Sequence, residues 1–303
     1  MYLKKNILLT LLIIAGAVAN GQSDILLTQQ WFSRINMNPA ATGNSDNVEV
    51  FLLNRQQWVG FDNAPRTSIL NAHTYFNSIQ SGLGMSLLYD KLGVSHQTVN
   101  AMLAYAYHID LTNEILLSTG LSGGIYNSNW DPGRNEFPDR DNISDELDMN
   151  KSSRSVADFN AGLELNGYGF TFGASMTHLL NARSTDDHKP WRGLYAYLRY
   201  STTIDWDYDI VPGVMYRYAN FGHLLDFNVL CYYKKKYWAG ISFRPDNSFA
   251  ALLGIEFGMF RVGYSYDRSI GGFSSLAANT HEVMLSVRIQ KPQQGRRSTR
   301  FLD

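Results

Sequence analysis

The chain lacks much of what soluble enzymes and disulfide-stapled domains rely on. It has one cysteine, Cys231, in 303 residues, which excludes an intrachain disulfide and a cysteine metal cluster. Charged residues make up only 17% and the formal net charge is −1, so nothing in the balance points to nucleic acid or another polyanion. Past the first two dozen residues no apolar run approaches the ~20 residues of a transmembrane helix. There is no His-Glu-x-x-His pair, and the seven histidines are scattered. The carboxylates after Asp139 lack the mid-loop glycine and closing glutamate of an EF-hand. No enzyme activity, cofactor or metal site is expected.

What is abundant is aromatic and small: 18 Tyr, 16 Phe and 25 Gly. Few charges with many aromatics and glycines suit a barrel in lipid better than a soluble enzyme. Residues 1–21 read as a cleaved secretory signal, with Lys4 and Lys5, an apolar stretch from Ile7 to Ile14, and Ala17-Val18-Ala19 for cleavage. No cysteine follows to accept a lipid. An exported chain without a spanning helix either stays soluble or enters the outer membrane as strands.

The distribution of side chains decides between these. Phe260, Val262, Tyr264 and Tyr266 alternate with Arg261, Gly263, Ser265 and Asp267. Only a strand, with period 2, sorts residues this way. The same alternation recurs near 47–57, 66–76, 81–90, 96–108, 113–127, 155–166, 168–180, 193–204, 206–218, 222–233, 236–244, 247–257, 258–268 and 280–290. That is about fourteen segments, an even number of membrane-spanning length. Trp206, Tyr208, Ile210, Val214, Tyr216 and Tyr218 share one row with aromatics at both ends, as two interfacial girdles would require, and Pro212 predicts a bulge. The segments at 47–57 and 66–76 sort poorly.

Loop lengths give a second test. The long connections, Asn129 to Arg154, Asn181 to Trp191 and Ser269 to Thr280, are all odd-numbered, and the even ones are tight. Outer-membrane barrels show this asymmetry, with long loops outside and short turns in the periplasm. The predicted organisation is a signal (1–21), an N-terminal periplasmic or plug segment (22–46), an antiparallel up-and-down transmembrane β-barrel (47–290) and a basic periplasmic tail (291–303).

Charges on the inward rows must face the lumen, because a charge against mid-membrane lipid costs a few kcal/mol. Arg55, Glu164, Arg261, Asp267, Glu282 and Arg288 are expected to form a lumen network of mixed sign. An ion pathway is the other reading, disfavoured because no sign dominates. The segment with Trp31, Phe32, Asn38 and Pro39 either plugs the lumen or docks a periplasmic partner. The plug is favoured because its aromatics need burial. On the long acidic loop, Trp130, Phe137, Arg140 and Asp141 are candidates for contact with an outside partner.

Several short pieces occur in a particular order. They include Asn38-Pro39-Ala40-Ala41-Thr42-Gly43, Asn54-Arg55-Gln56-Gln57-Trp58, Pro65-Arg66-Thr67, Gly82-Leu83-Gly84 and Asp90-Lys91-Leu92-Gly93. Asp158-Phe159-Asn160-Ala161-Gly162, Tyr237-Trp238-Ala239-Gly240 and Gly263-Tyr264-Ser265-Tyr266-Asp267 follow. Together they resemble the PorP/SprF family of type IX secretion system membrane proteins of the Bacteroidota, over nearly all of the mature chain. The resemblance implies an outer-membrane barrel without catalytic activity. It would support secretion or surface attachment of cargo carrying a C-terminal sorting domain, often an adhesin. The implied partners are that cargo, periplasmic and outer-membrane secretion components, and outer-membrane lipid. A porin-like channel for small solutes is the runner-up.

Overall fold

The computed structural model describes residues 25–131, 151–181, 190, 192–219, 222–245, 247–270 and 279–291. The strands are β1 (Val48–Gln56), β2 (Arg66–Phe76), β3 (Ser81–Leu92), β4 (His96–Asp110), β5 (Ile115–Trp130), β6 (Ser152–Gly167), β7 (Phe170–Thr177), β8 (Gly193–Tyr200), β9 (Thr202–Asp205), β10 (Tyr208–Ala219), β11 (Gly222–Tyr233), β12 (Tyr237–Arg244), β13 (Ser248–Phe257), β14 (Phe260–Ser269) and β15 (Thr280–Ile289).

Apart from β8 and β9, each strand pairs antiparallel with the next in sequence, and β15 pairs with β1, so one sheet closes on itself. The ring has fourteen positions because β8 and β9 lie end to end along one edge of β10. Gly213 faces Arg199 and Ile210 faces Thr202, so the break falls opposite Val211 and Pro212. Proline has no N–H for that ladder. The register shift itself comes just before, between Tyr208 and Asp209.

Side-chain alternation places the two faces. On β14, Arg261, Gly263, Ser265 and Asp267 are buried inward and Phe260 is exposed. The outward row is apolar and uncovered: Leu103 is 72% exposed, Leu121 63% and Leu163 53%. A soluble protein does not leave so large an apolar belt in water. No second layer of described residues covers it, and among those residues no helix is long and apolar enough to cross a membrane.

The three long gaps follow β5, β7 and β14, which all run parallel to β1. They therefore open at one rim, hereafter the loop rim. The opposite rim carries tight turns, such as Tyr168-Gly169, where both residues have positive φ (51° and 82°). Two such residues in succession form the type I′ turn that suits a twisted hairpin.

Candidate functional site: the occupied lumen

The lumen is filled by the chain's own start. Residues from Leu27 to Thr42 are almost all buried, with Thr28, Gln29, Asn38, Ala40 and Thr42 fully enclosed. This segment touches strands on every side of the ring, including β2, β4, β6, β8, β10 and β15. Only a path through the middle of the barrel permits that.

The path has a direction. Arg217, near the loop rim on β10, donates to the Ile25 carbonyl at 3.1 Å. The N–H groups of Thr28 and Gln29 donate to the Glu282 carboxylate, at the loop-rim start of β15, at 2.9 and 3.0 Å. At the other end the Thr42 carbonyl accepts from His108 Nε2 at 3.0 Å, near the turn-rim end of β4. Because the segment precedes β1, sequence alone puts Gln29 onward at the periplasmic side. The structure corrects this: the segment descends from the loop rim and reaches the turn rim only near Gly43. A chain of this length can traverse the lumen before turning back into β1.

Two short 3-10 turns, Gln29–Phe32 and Pro39–Ala41, shape the plug. Pro39 takes the first position, where its missing N–H costs nothing. Asn38 caps that turn: its Oδ1 accepts from Ala40 N–H at 3.0 Å. Its Nδ2 donates to the Leu163 carbonyl (3.0 Å) and to Tyr197 Oη (2.9 Å). The wall facing this turn is glycine. A Cβ on Gly120 would lie 2.2 Å from Ala40 N, and one on Gly82 2.1 Å from the Thr42 carbonyl oxygen. Backbone meets backbone there, so only glycine fits.

Buried charges tie plug to wall. Arg34 Nε lies 3.1 Å from Glu164 Oε2, and Tyr197 donates to the same carboxylate. On the loop side, Arg55 Nη1 lies 2.5 Å from Glu282 and 3.1 Å from Asp267. Asp267 also accepts from the Thr28 hydroxyl at 2.6 Å. Arg244 binds Asp226 at 2.9 Å and Thr28 Oγ1 at 2.8 Å. Arg261 pairs with Glu256 and stands 5.2 Å from the Phe32 ring. Arg288 bridges Glu49 (2.7 Å) and Glu256 (3.6 Å). The six expected lumen charges thus fall into separate clusters.

The interior is also more apolar than the inward rows suggest. Leu27 packs with Phe51, Leu53, Ile69, Leu230, Trp238 and other wall residues in a core inside the barrel. Trp31 and Met37 pack with Tyr195, Tyr197 and Met215. Phe32 lies 4.6 Å from the Trp238 ring. This explains why β1 and β2 sort poorly: their inward residues meet the plug.

Trp130 ends β5, partly exposed and 6.1 Å from the His96 ring, while Phe137, Arg140 and Asp141 lie outside the described residues. Sequence reasoning misses Arg34 and Tyr197. Arg34 carries a signal, being the only charge between residues 25 and 45. Gly120-Leu121-Ser122-Gly123-Gly124 has the letters of a nucleophile elbow, but it lies inside β5 with no turn or helix, so that chemistry has no support. At the turn rim Lys291 Nζ donates to the Tyr75 carbonyl at 2.7 Å, and partial burial lowers its pKa.

A cavity of about 60 Å³ lies beside the plug in the loop-rim half. Its walls carry Asn36 and Gln30 from the plug and Asn100, Asn160, Thr177 and His178 from the barrel.

The family model described as type IX secretion system membrane protein PorP/SprF matches residues 19–287. Among solved structures the chain is similar to the Ralstonia pickettii toluene transporter TbuX, at 9% identity and TM-score 0.52, covering 84% of this chain and 93% of that one. It is similar to the P. putida toluene transporter TodX, at 8% identity and TM-score 0.51, covering 84% and 94%. Acinetobacter baumannii Omp33 matches at 11% identity and TM-score 0.49, covering 80% and 99%. At these identities the TbuX and TodX likeness shows the fold alone, an outer-membrane β-barrel. No curated protein sequence matches the chain.

Proposed function

The chain belongs to the PorP/SprF family of type IX secretion system membrane proteins, and from that premise we propose that it works as a closed, non-catalytic outer-membrane docking barrel. The observation that carries this is the plug. A lumen spanned by Leu27 to Thr42 and pinned through Glu164 and Glu282 speaks against a wide path for solutes. What remains for function is the two rims. The loop rim, with its long connections, receives secreted cargo bearing a C-terminal sorting domain and holds it at the cell surface. The turn rim, with Lys234, Lys235 and Lys236 between β11 and β12, meets periplasmic secretion components.

The test is genetic and biochemical. Removing the gene should abolish surface retention of at least one cargo protein while other outer-membrane proteins are unchanged. Mild-detergent purification of the barrel should bring that cargo with it. Unaltered display of every surface protein would overturn the proposal. The channel reading is separated by planar-bilayer recording, in which the intact protein should be silent.

A further inference from the structure

The outer face of the barrel wall carries two cations with no anion beside them. Thr67 and Asp90 are register partners on β2 and β3. The Thr67 hydroxyl donates to Asp90 Oδ1 at 2.6 Å, on the lumen side, where Thr67 faces Arg55. Side chains alternate along a strand, so the next residues, Arg66 and Lys91, stand on the lipid side. They too are register partners. Like charges placed directly opposite repel, and neither makes an ion pair with a described residue.

The pair sits at a defined height. Arg66 is exposed and begins β2, and Lys91 is the penultimate residue of β3, so both lie near the loop rim. Register pairing makes one outward row of Tyr266, His281, Gln56, Arg66, Lys91 and Gln97, across β14, β15 and β1 to β4. That row holds no carboxylate. One step toward the middle of the wall come Asn54, Ser68 and Tyr89, with Asn54 donating to Ser68 Oγ at 2.8 Å. A further step down, Leu52, Leu70 and Leu87 form an apolar row. Going up the wall, aliphatic residues give way to tyrosine and hydroxyl groups, and then to cations. Acyl chain, interface and headgroup follow in that order in a leaflet.

A protein resting on the loop rim would approach from above, whereas this pair faces sideways into the leaflet. The anion at that height is a lipid phosphate. Arginine meets phosphate with paired N–H donors, and lysine adds a point charge. Basic clusters at this level of a membrane protein hold lipid headgroups. We propose that Arg66 and Lys91 bind a phosphate group of a glycolipid in the outer leaflet, with Gln56 and Ser68 as neutral donors. Its acyl chains run down over Leu52, Leu70 and Leu87. The site rests on the placement of the barrel in the membrane and not on the docking function proposed above.

Purified full-length protein in nonionic detergent is titrated with diphosphorylated lipid A, with the same lipid after enzymatic dephosphorylation, and with inorganic phosphate. Native mass spectrometry and thermal shift follow binding. The diphosphorylated lipid should bind saturably, its dephosphorylated form far more weakly, and inorganic phosphate should leave the melting temperature unchanged. Arg66→Gln combined with Lys91→Gln should weaken lipid binding about tenfold or more. The same double variant, without lipid, should melt at or above the parent temperature, because the repulsion between the two cations is gone. Lys151→Gln removes a loop-rim cation that already has Asp131 at 3.3 Å, and it should bind lipid like the parent. Equal binding of the dephosphorylated lipid, a shift with inorganic phosphate as large as with lipid, or an unaffected double variant would each overturn the assignment. So would an equal loss in Lys151→Gln. If the double variant kept its lipid but lost a co-purifying protein, the pair would be a protein contact and the lipid site would fall.

Discussion

Arg55 on the first strand and Glu282 on the last are register partners, and their side chains meet at 2.5 Å inside the seam that closes the ring. The other demands on Glu282 are the backbone N–H groups of Thr28 and Gln29. Ring closure and plug seating therefore share one carboxylate. Glu282→Ala would leave Arg55 with Asp267 alone and free two buried N–H groups of the plug. Breaking a buried pair from one side costs about 3–5 kcal/mol. The expected outcome is a clear drop in melting temperature in detergent, with Glu282→Gln falling between Ala and the parent.

Gly120 tests the plug from the wall side. A side chain there would sit 2.2 Å from Ala40 N and 2.3 Å from the Pro39 carbonyl carbon. Neither backbone can give way without shifting the Asn38 cap. Gly120→Val should destabilise by about 1–3 kcal/mol, the usual range for overpacking, and should loosen the plug. Bilayer recordings check the second part: the variant should show intermittent conductance, and a protein lacking residues 26–44 should conduct steadily. Silence from both would show that the plug is not what closes the lumen.

Arg34 and Glu164 form the second anchor, 3.1 Å apart with almost no exposure. Arg34→Leu alone should cost about 3–5 kcal/mol, because it leaves Glu164 charged and buried beside Tyr197. Arg34→Leu with Glu164→Leu should recover most of that, since an apolar pair needs no desolvated charge. Urea unfolding of the folded barrel in detergent gives the comparison. Failure of the double variant to recover would mean that the pair positions the plug through geometry that leucine cannot supply.

Much of the barrel is legible in the amino-acid sequence, because its cause is local. Alternation along β6, β7, β11 and β14 follows from one face meeting lipid, and that requirement is written into each strand separately. The plug is harder to read. Its apolar residues pair with inward residues of β1 and β2, so Phe51, Leu53 and Ile69 look misplaced until Leu27 is set against them. The network poses the same difficulty. Arg55 and Glu282 lie 227 residues apart, and nothing in either strand shows which lumen charge faces which. Glycine gives a hint without a meaning: Gly82 and Gly120 could equally be bends. Only the passage of Thr42 and Ala40 past them explains the missing side chains.

The direction of the plug yields a prediction independent of its energetics. Phe61, between β1 and β2, is exposed at the loop rim, and Trp206, between β9 and β10, is fully exposed at the turn rim. Ile25 is partly buried and lies among loop-side residues such as Arg217. With Cys231→Ser as background, single cysteines at 61, 206 and 25 can be probed with a PEG-maleimide too large to cross the outer membrane. In intact cells Phe61→Cys should be labelled and Trp206→Cys protected until the membrane is permeabilised. Ile25→Cys should follow Phe61→Cys, though more slowly because of its partial burial. If it followed Trp206→Cys instead, the segment would enter from the periplasm. Its contacts with Glu282 and Arg217 would then have to be abandoned.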